Sequence, residues 1–310
     1  MNKASAILLA LLIILSPVFG NGSTEAAIPA TGNTYIDDLG REVTISKAER
    51  VSILIGSFAD VWCLSGGKDS IVSAAGDTWT QFNLDLDEEV VDIGSVRKPN
   101  LEKILASNPD LVIASSKTEA DLALMDTFEA MGIPVLYFDV STFEDYLHML
   151  DICTDITGGK DNYNRYGLAL RDEIEKARAM QDGSHPRVLY VRASSSGVKV
   201  KNSERSVLGV MLKDLGCINI ADSNTELLEN LSMETIIKED PDWIFGVIQS
   251  STPEKAERAL QKTLLSDPAW NGLTAVREGR FIMLPQDLYN MKPNARWAEA
   301  YTRLARIMYE

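Results

Sequence analysis

The chain has 310 residues, 45% of them hydrophobic and 24% charged, enough for one large or two medium folded units. Its formal net charge of −15 argues against a nucleic-acid role, because phosphates demand a basic face. Cys63, Cys153 and Cys217 are scattered among apolar neighbours and match neither a disulfide framework nor a metal knuckle, so buried thiols are expected.

Residues 1–20 read as an export signal: Lys3 is the basic region, residues 6–15 are an apolar core, and small residues follow for cleavage. The apolar run is shorter than the ~18–20 residues of a spanning helix, and no cysteine follows it for lipid modification. Residues 21–33, rich in Gly, Ser, Thr, Ala and Pro, read as a flexible leader. Residues 35–45 alternate around Gly40 and predict a hairpin. Apolar runs of strand length follow at 51–55, 71–74, 111–114 and 135–138, separated by helical patterns, the signature of a parallel sheet with helices on both faces. From 142 to 180 strand signals vanish; two helical pieces broken at Gly158-Gly159 are expected there. Strand candidates resume at 188–191, 243–247 and 281–284, with helices at 207–215, 253–264 and 294–309. The expected organisation is an α/β lobe over residues 34–141, a helical connector over 142–181 and a second α/β lobe over 182–310.

One unit occurs in each half. Asn100 to Ala114 and Ser232 to Gly246 share a capping residue, a Glu two places on, two apolar residues, Pro-Asp and an apolar run. Each reads as a short helix that begins at a side-chain cap, stops before the Pro and feeds a buried strand. The early glutamates, Glu102 and Glu234, sit where the helix dipole favours negative charge. Two similar halves imply two lobes with something held between them.

Ser65-Gly66-Gly67-Lys68-Asp69-Ser70 has the wording of a pyrophosphate-gripping loop, but that loop must follow a strand and open a helix. Here the order is reversed, which predicts a helix C-cap turn. No G-x-G-x-x-G, G-x-S-x-G or H-E-x-x-H occurs, and His148 and His185 are the only histidines. No catalytic constellation, resident metal site or cofactor is therefore expected.

In parallel α/β lobes ligands sit beyond the carboxyl ends of the strands. Those positions are Ser57, Phe58, Trp79, Ser115 and Lys117 in the first half, and Arg192, Ser195, Gln249 and Tyr289 in the second. Trp79, Tyr289 and Arg192 suit a bulky, partly aromatic or anionic ligand.

These features together resemble a known family over nearly all of the chain after the signal: the substrate-binding proteins of ABC importers that capture ferric siderophores, haem and cobalamin. The resemblance rests on the D-x-x-G-R-x-V hairpin at 37–43, the P-N-L-E segment at 99–113, the helical connector, and the ending from Pro268 to the C-terminal helix. It implies two doubly wound α/β lobes joined by a rigid helical connector, with a metal chelate in the cleft. It also implies a non-enzymatic, periplasmic or otherwise extracytoplasmic protein, free or tethered by an uncleaved leader, with the permease and its ATPase as partners and a monomer as the expected state. On this resemblance Glu102 and Glu234 engage the permease. Hydroxamate-binding relatives carry an arginine shortly before the P-N-L-E segment; Arg97 stands here, one position out of step. Were haem the cargo, Tyr289 is the available axial phenolate. The alternatives are cobalamin, haem or an oxyanion as cargo, and more remotely a sensor or a metallocluster redox protein.

Overall fold

The computed structural model describes residues 32–204, 206–250 and 253–310. The export signal expected at 1–20, and the leader up to residue 31, lie outside the described residues. The leader ends earlier than expected: Asn33 already pairs with Ile45 as the first residue of strand β1 (Asn33–Ile36), antiparallel to β2 (Glu42–Ile45). Gly40 turns this hairpin at φ +77°, a left-handed conformation open to glycine. The Asp37 carboxylate accepts the N–H groups of Leu39 and Arg41, at 3.0 Å each, and pairs with the Arg41 guanidinium at 2.7 Å. Arg41 then donates to the Val135 carbonyl (2.9 Å) and lies over the Tyr137 ring. The D-x-x-G-R wording is thus a staple that fixes the hairpin to a sheet edge.

That sheet comprises β3 (Val51–Ile53), β4 (Ile71–Ala74) and β5 (Val91–Asp92), and, beyond a two-residue hairpin of β6 (Gly94–Ser95) and β7 (Lys98–Pro99), β8 (Leu111–Ser115) and β9 (Val135–Phe138). Its order is β5-β4-β3-β8-β9, all parallel. The second sheet comprises β10 (Arg187–Ser194), β11 (Gly197–Lys201), β12 (Ile218–Asn219), β13 (Trp243–Ile248) and β14 (Phe281–Leu284). Its path is β11-β10-β13-β14, with β12 alongside the start of β10; β11 is the single antiparallel member.

The central strands of both sheets are buried on two faces, which is why they read as unbroken apolar runs. Along β8, Leu111 and Ile113 join one core cluster while Val112 and Ala114 join another. Along β10, Val188 and Tyr190 face one way, and Leu189, Val191 and Ala193 the other. One of these clusters runs continuously through both halves and the helices between them.

The helices between the sheets are Phe143–Thr157, closed by Gly158 at φ +74°, and a run over Lys160–Tyr163, Asn164–Leu168 and Ala169–Arg178 whose middle turn is widened to π geometry. A reciprocal capping box of Thr142 and Asp145 starts the first. The last piece packs on the C-terminal helix Trp297–Tyr309, and Arg178 and the Tyr301 hydroxyl meet on Asp214, each at 2.6 Å. The Ser65–Ser70 stretch is the helix end that its order predicted: Gly66 sits at φ +102° and its N–H returns to the Cys63 carbonyl.

The repeated unit has the same joint twice. Asn100 caps Leu101–Ala106 by accepting the Lys103 N–H (3.0 Å), and Ser232 caps Met233–Glu239 by accepting the Thr235 N–H (3.2 Å). After each helix the Pro-Asp carboxylate reaches the start of the neighbouring strand. Asp110 accepts the N–H groups of Glu49 and Arg50 and returns its own N–H to the Arg50 carbonyl. Asp242 accepts the Arg187 N–H and returns its N–H to the Arg187 carbonyl. In both copies the arginine guanidinium binds carbonyls at the helix end, Ser107 and Asn108 in the first and Glu239 in the second.

Candidate functional site

The carboxyl ends of the two sheets line a cleft of about 630 Å³, with Thr80 and Gln81 on one side and Ser250, Gln286, Asp287 and Met291 on the other. On the first side, the helix Gly56–Ser65 begins almost directly after β3, and the Gly56 N–H donates to Asp77 Oδ1 at 2.9 Å. A side chain on Gly56 would sit 2.7 Å from the Thr78 nitrogen, so glycine is what lets these two strand-end loops touch. Trp79 follows, partly buried against the core.

Two of the expected ligand residues are corrected here. Ser57 is 3% exposed and Phe58 fully enclosed, because the helix starts so early that its first turn aims them at the sheet. Phe58 meets the Phe138 ring edge-on, and Lys292 Nζ lies 5.8 Å from its centroid. Ser115 is also buried; its hydroxyl accepts the Lys117 N–H and shapes the turn. Lys117 is exposed and pairs with Asp139 at 3.0 Å. Arg97 stands exposed in the turn between β6 and β7.

On the second side, Arg192 is partly buried with Nη1 3.5 Å from the Asn290 side-chain oxygen, Ser195 is exposed in the β10–β11 turn, and Gln249 is half-exposed after β13. The Ser250 N–H donates to the Gln286 side-chain oxygen (3.2 Å), tying two strand ends together. After Ser57, Phe58 and Ser115, Tyr289 is the fourth correction. Its side chain is fully enclosed, its hydroxyl donates to the Ala300 carbonyl at 2.9 Å, and burial pushes the phenol well above its ordinary range. A neutral, occupied hydroxyl in the core is no axial ligand.

Sequence reasoning missed the seam under the cleft. Asn294, at φ +50°, reaches from the second half to donate to the Ser57 carbonyl and to Asp60 Oδ2, both at 2.8 Å. Lys292 is partly buried beside it; desolvation holds its ammonium below the usual lysine range, while Asp139 and Asp77 pull the other way. Asp121 is fully buried. One carboxylate oxygen accepts the Ser115 N–H (2.9 Å), the other has no partner, and burial, aided by the Asp77 charge, pushes it up to about 7. The strand-end rule that found Tyr289 applied equally to Lys292 and Asn294, three and five places on.

Glu102 and Glu234 are exposed at matching positions, each second in its capped helix. The three cysteines are free: Cys153 and Cys217 are buried and Cys63 partly so. Burial pushes the Cys63 and Cys217 thiols up to about 12. Among the described residues no three His, Cys, Asp or Glu side chains gather as a metal site, and no helix is long and apolar enough to cross a membrane.

The family model described as periplasmic binding protein matches residues 51–288, which span both sheets and every strand end lining the cleft. The chain belongs to the periplasmic binding protein family. Its members are binding proteins of extracytoplasmic location. An iron-uptake system-binding protein of Bacillus subtilis (strain 168) is 23% identical over 292 residues, covering 90% of this chain and 89% of the relative. Solved structures share the fold at 19–23% identity. The iron-uptake ABC transporter substrate-binding protein PiuA of Streptococcus pneumoniae superposes with a TM-score of 0.69 at 20% identity, covering 90% of this chain and 98% of that one. A periplasmic haem-binding protein of Roseiflexus sp. RS-1 superposes at 0.67 and 23% identity, covering 85% and 98%. SirA of Staphylococcus aureus, solved with staphyloferrin B, superposes at 0.66 and 19% identity, covering 89% and 97%. These neighbours share the expected class: two α/β lobes with parallel central sheets and a long connecting helix.

Proposed function

We propose that this chain is the substrate-binding component of an ABC importer and captures a ferric-siderophore-type chelate in the cleft between residues 34–141 and 182–310. The observation that carries this reading is the two-sided cleft of strand ends within the span of the family match. The iron-uptake, siderophore-bound and haem-binding relatives set the cargo class to test. The protein works by binding alone, with no catalytic step, and as a monomer. It is exported by residues 1–20 and is either released or held by an uncleaved leader.

Capture and delivery follow from differential stability: a ligand that contacts both sides of the cleft favours the form in which they approach. That form sets Glu102 and Glu234 at the spacing that the permease reads, and charge complementarity there governs docking. Arg97, Lys117, Arg192, Ser195 and Gln249, the accessible members of the expected set, are the contacts proposed for the cargo, with Trp79 as reporter.

The test is tryptophan fluorescence of purified protein titrated with ferric hydroxamates, ferric catecholates, haem, cobalamin and molybdate. Saturable quenching by a ferric siderophore, with the iron-free form much weaker, is expected. Quenching by haem or cobalamin alone would keep the importer role and move the cargo to the second reading, which the haem-binding neighbours motivate. Silence across the panel in folded protein would reject transport of this cargo class.

A further inference from the structure

The β10–β11 hairpin carries a cluster that the fold does not account for. Arg192 lies directly opposite Lys199, and Lys201 lies opposite Tyr190, two places along. Side chains directly opposite or two apart share a sheet face, so Arg192, Lys199 and Lys201 are neighbours on one face. Like charges facing one another across a strand pair are destabilising. Yet no carboxylate among the described residues comes within ion-pair distance of any of the three, in a chain whose net charge is −15.

Two other arginines of this half show a contrast. Arg187, at the other end of the same strand, pairs with Glu239, and Arg280 pairs with Glu278. A merely solvated surface patch would be fully exposed, but Arg192 and Lys201 are partly buried. Burial and the two neighbouring cations hold the Lys201 ammonium below its ordinary range. The cluster therefore destabilises the hairpin unless negative charge arrives from outside.

Its position says where that charge would sit. Arg192 is near the carboxyl end of β10, and its guanidinium touches the side chain of Asn290, next to Met291 in the cleft wall. We propose that Arg192, Lys199 and Lys201 form an anion-selecting wall of the cleft, restricting the cargo to ferric chelates of net negative charge with peripheral oxygens, as against neutral or cationic chelates. This rests on the importer reading above. Catecholates and hydroxycarboxylates share that chemistry, and the test separates them.

Purified protein is titrated, at low and at high salt, with four probes: a trianionic ferric tris-catecholate, ferric dicitrate, a neutral ferric hydroxamate and cationic ferrioxamine. One anionic chelate should bind at least about tenfold more tightly than the neutral and cationic ones, with affinity falling as salt rises. Whichever anion wins names the donor class. K199Q/K201Q and Arg192→Gln should each weaken that anion about tenfold or more, and K199Q/K201Q should leave any weak hydroxamate binding unchanged, in protein whose circular dichroism spectrum matches the parent. Equal or tighter binding of the neutral chelate, with the double variant indistinguishable from the parent, would overturn the anionic wall and leave the importer reading standing. Failure of folded protein to bind any iron chelate would overturn both.

Discussion

The two halves agree at one end of their sheets and differ at the other. Where strands begin, each half has a capped helix, a Pro-Asp turn and an arginine from the neighbouring strand closing on the helix-end carbonyls. Where strands end, the first half gathers carboxylates, with Asp121 buried, Asp77 partly so and Asp139 paired, and the second gathers cations and amides around Arg192, Gln249 and Gln286. The repeated end is made of hydrogen bonds between backbone and side chain, which depend only on the unit itself. The divergent end faces a shared space, so its chemistry answers to what lies across the gap. The frame is repeated, while each half carries its own side of the site.

The strongest way to break this comparison is to empty one half's private core. Trp270 is 2% exposed and meets Phe281 edge-on, so Trp270→Ala should cost about 4 kcal/mol in urea denaturation. Because one apolar cluster joins both halves, the transition should remain single; two resolved transitions would show that the halves are independent. Next, Gly56→Ala should cost about 3 kcal/mol by forcing apart the two strand-end loops of the first half.

The joints themselves can be graded. Asp110→Ala frees two backbone N–H groups and should cost about 2 kcal/mol, whereas Asp242→Ala frees one and should cost about 1 kcal/mol. Equal costs would mean that the guanidinium, not the carboxylate, holds the joint.

Asp121 sharpens the comparison through pH. Burial pushes its carboxyl up to about 7 in the fold against 3.8 for an unperturbed aspartate, so the folded state holds a proton that the unfolded state has lost between those values. Its contribution is fully present below the lower value and declines as pH rises to about 7. Asp121→Asn should therefore flatten that part of the stability profile measured by thermal melting; an unchanged slope would reject the assignment. The smallest effect on folding is expected at the docking positions. Glu102→Lys and Glu234→Lys should alter stability by no more than about 0.5 kcal/mol and leave ligand affinity intact, yet each should abolish uptake in cells.

Most of the frame was legible in the sequence. The runs at 71–74 and 135–138 became strands with those limits, because a strand buried on both faces announces itself by continuous apolar residues; the apolar run at 281–284 did so too, although it lies at a sheet edge with Met283 exposed. Strands β5, β6, β7 and β12 are two residues long, too short for any periodicity to register. β11 is different: Val198 and Val200 alternate with Lys199 and Lys201, a period-two pattern that the strands expected in the second half, all unbroken apolar runs, did not include. At the site, strand ends marked the right loops without revealing which side chains turn inward. Phe58 and Tyr289 follow their strands by a few residues only, and both were carried into the core by short helices that begin at once. Lys292 and Asn294 became visible only when the last loop folded back under the first helix.

The three cysteines have a practical corollary. With Cys153 and Cys217 shut in and the Cys63 thiol protonated at neutral pH, the parent chain should react sluggishly with maleimides. A cysteine introduced at Lys117 and another at Ser195, both exposed and one in each half, would then be the fast-labelling pair. Spin or dye labels at those two points would report the separation of the two halves in solution without any native sulfur having to be removed.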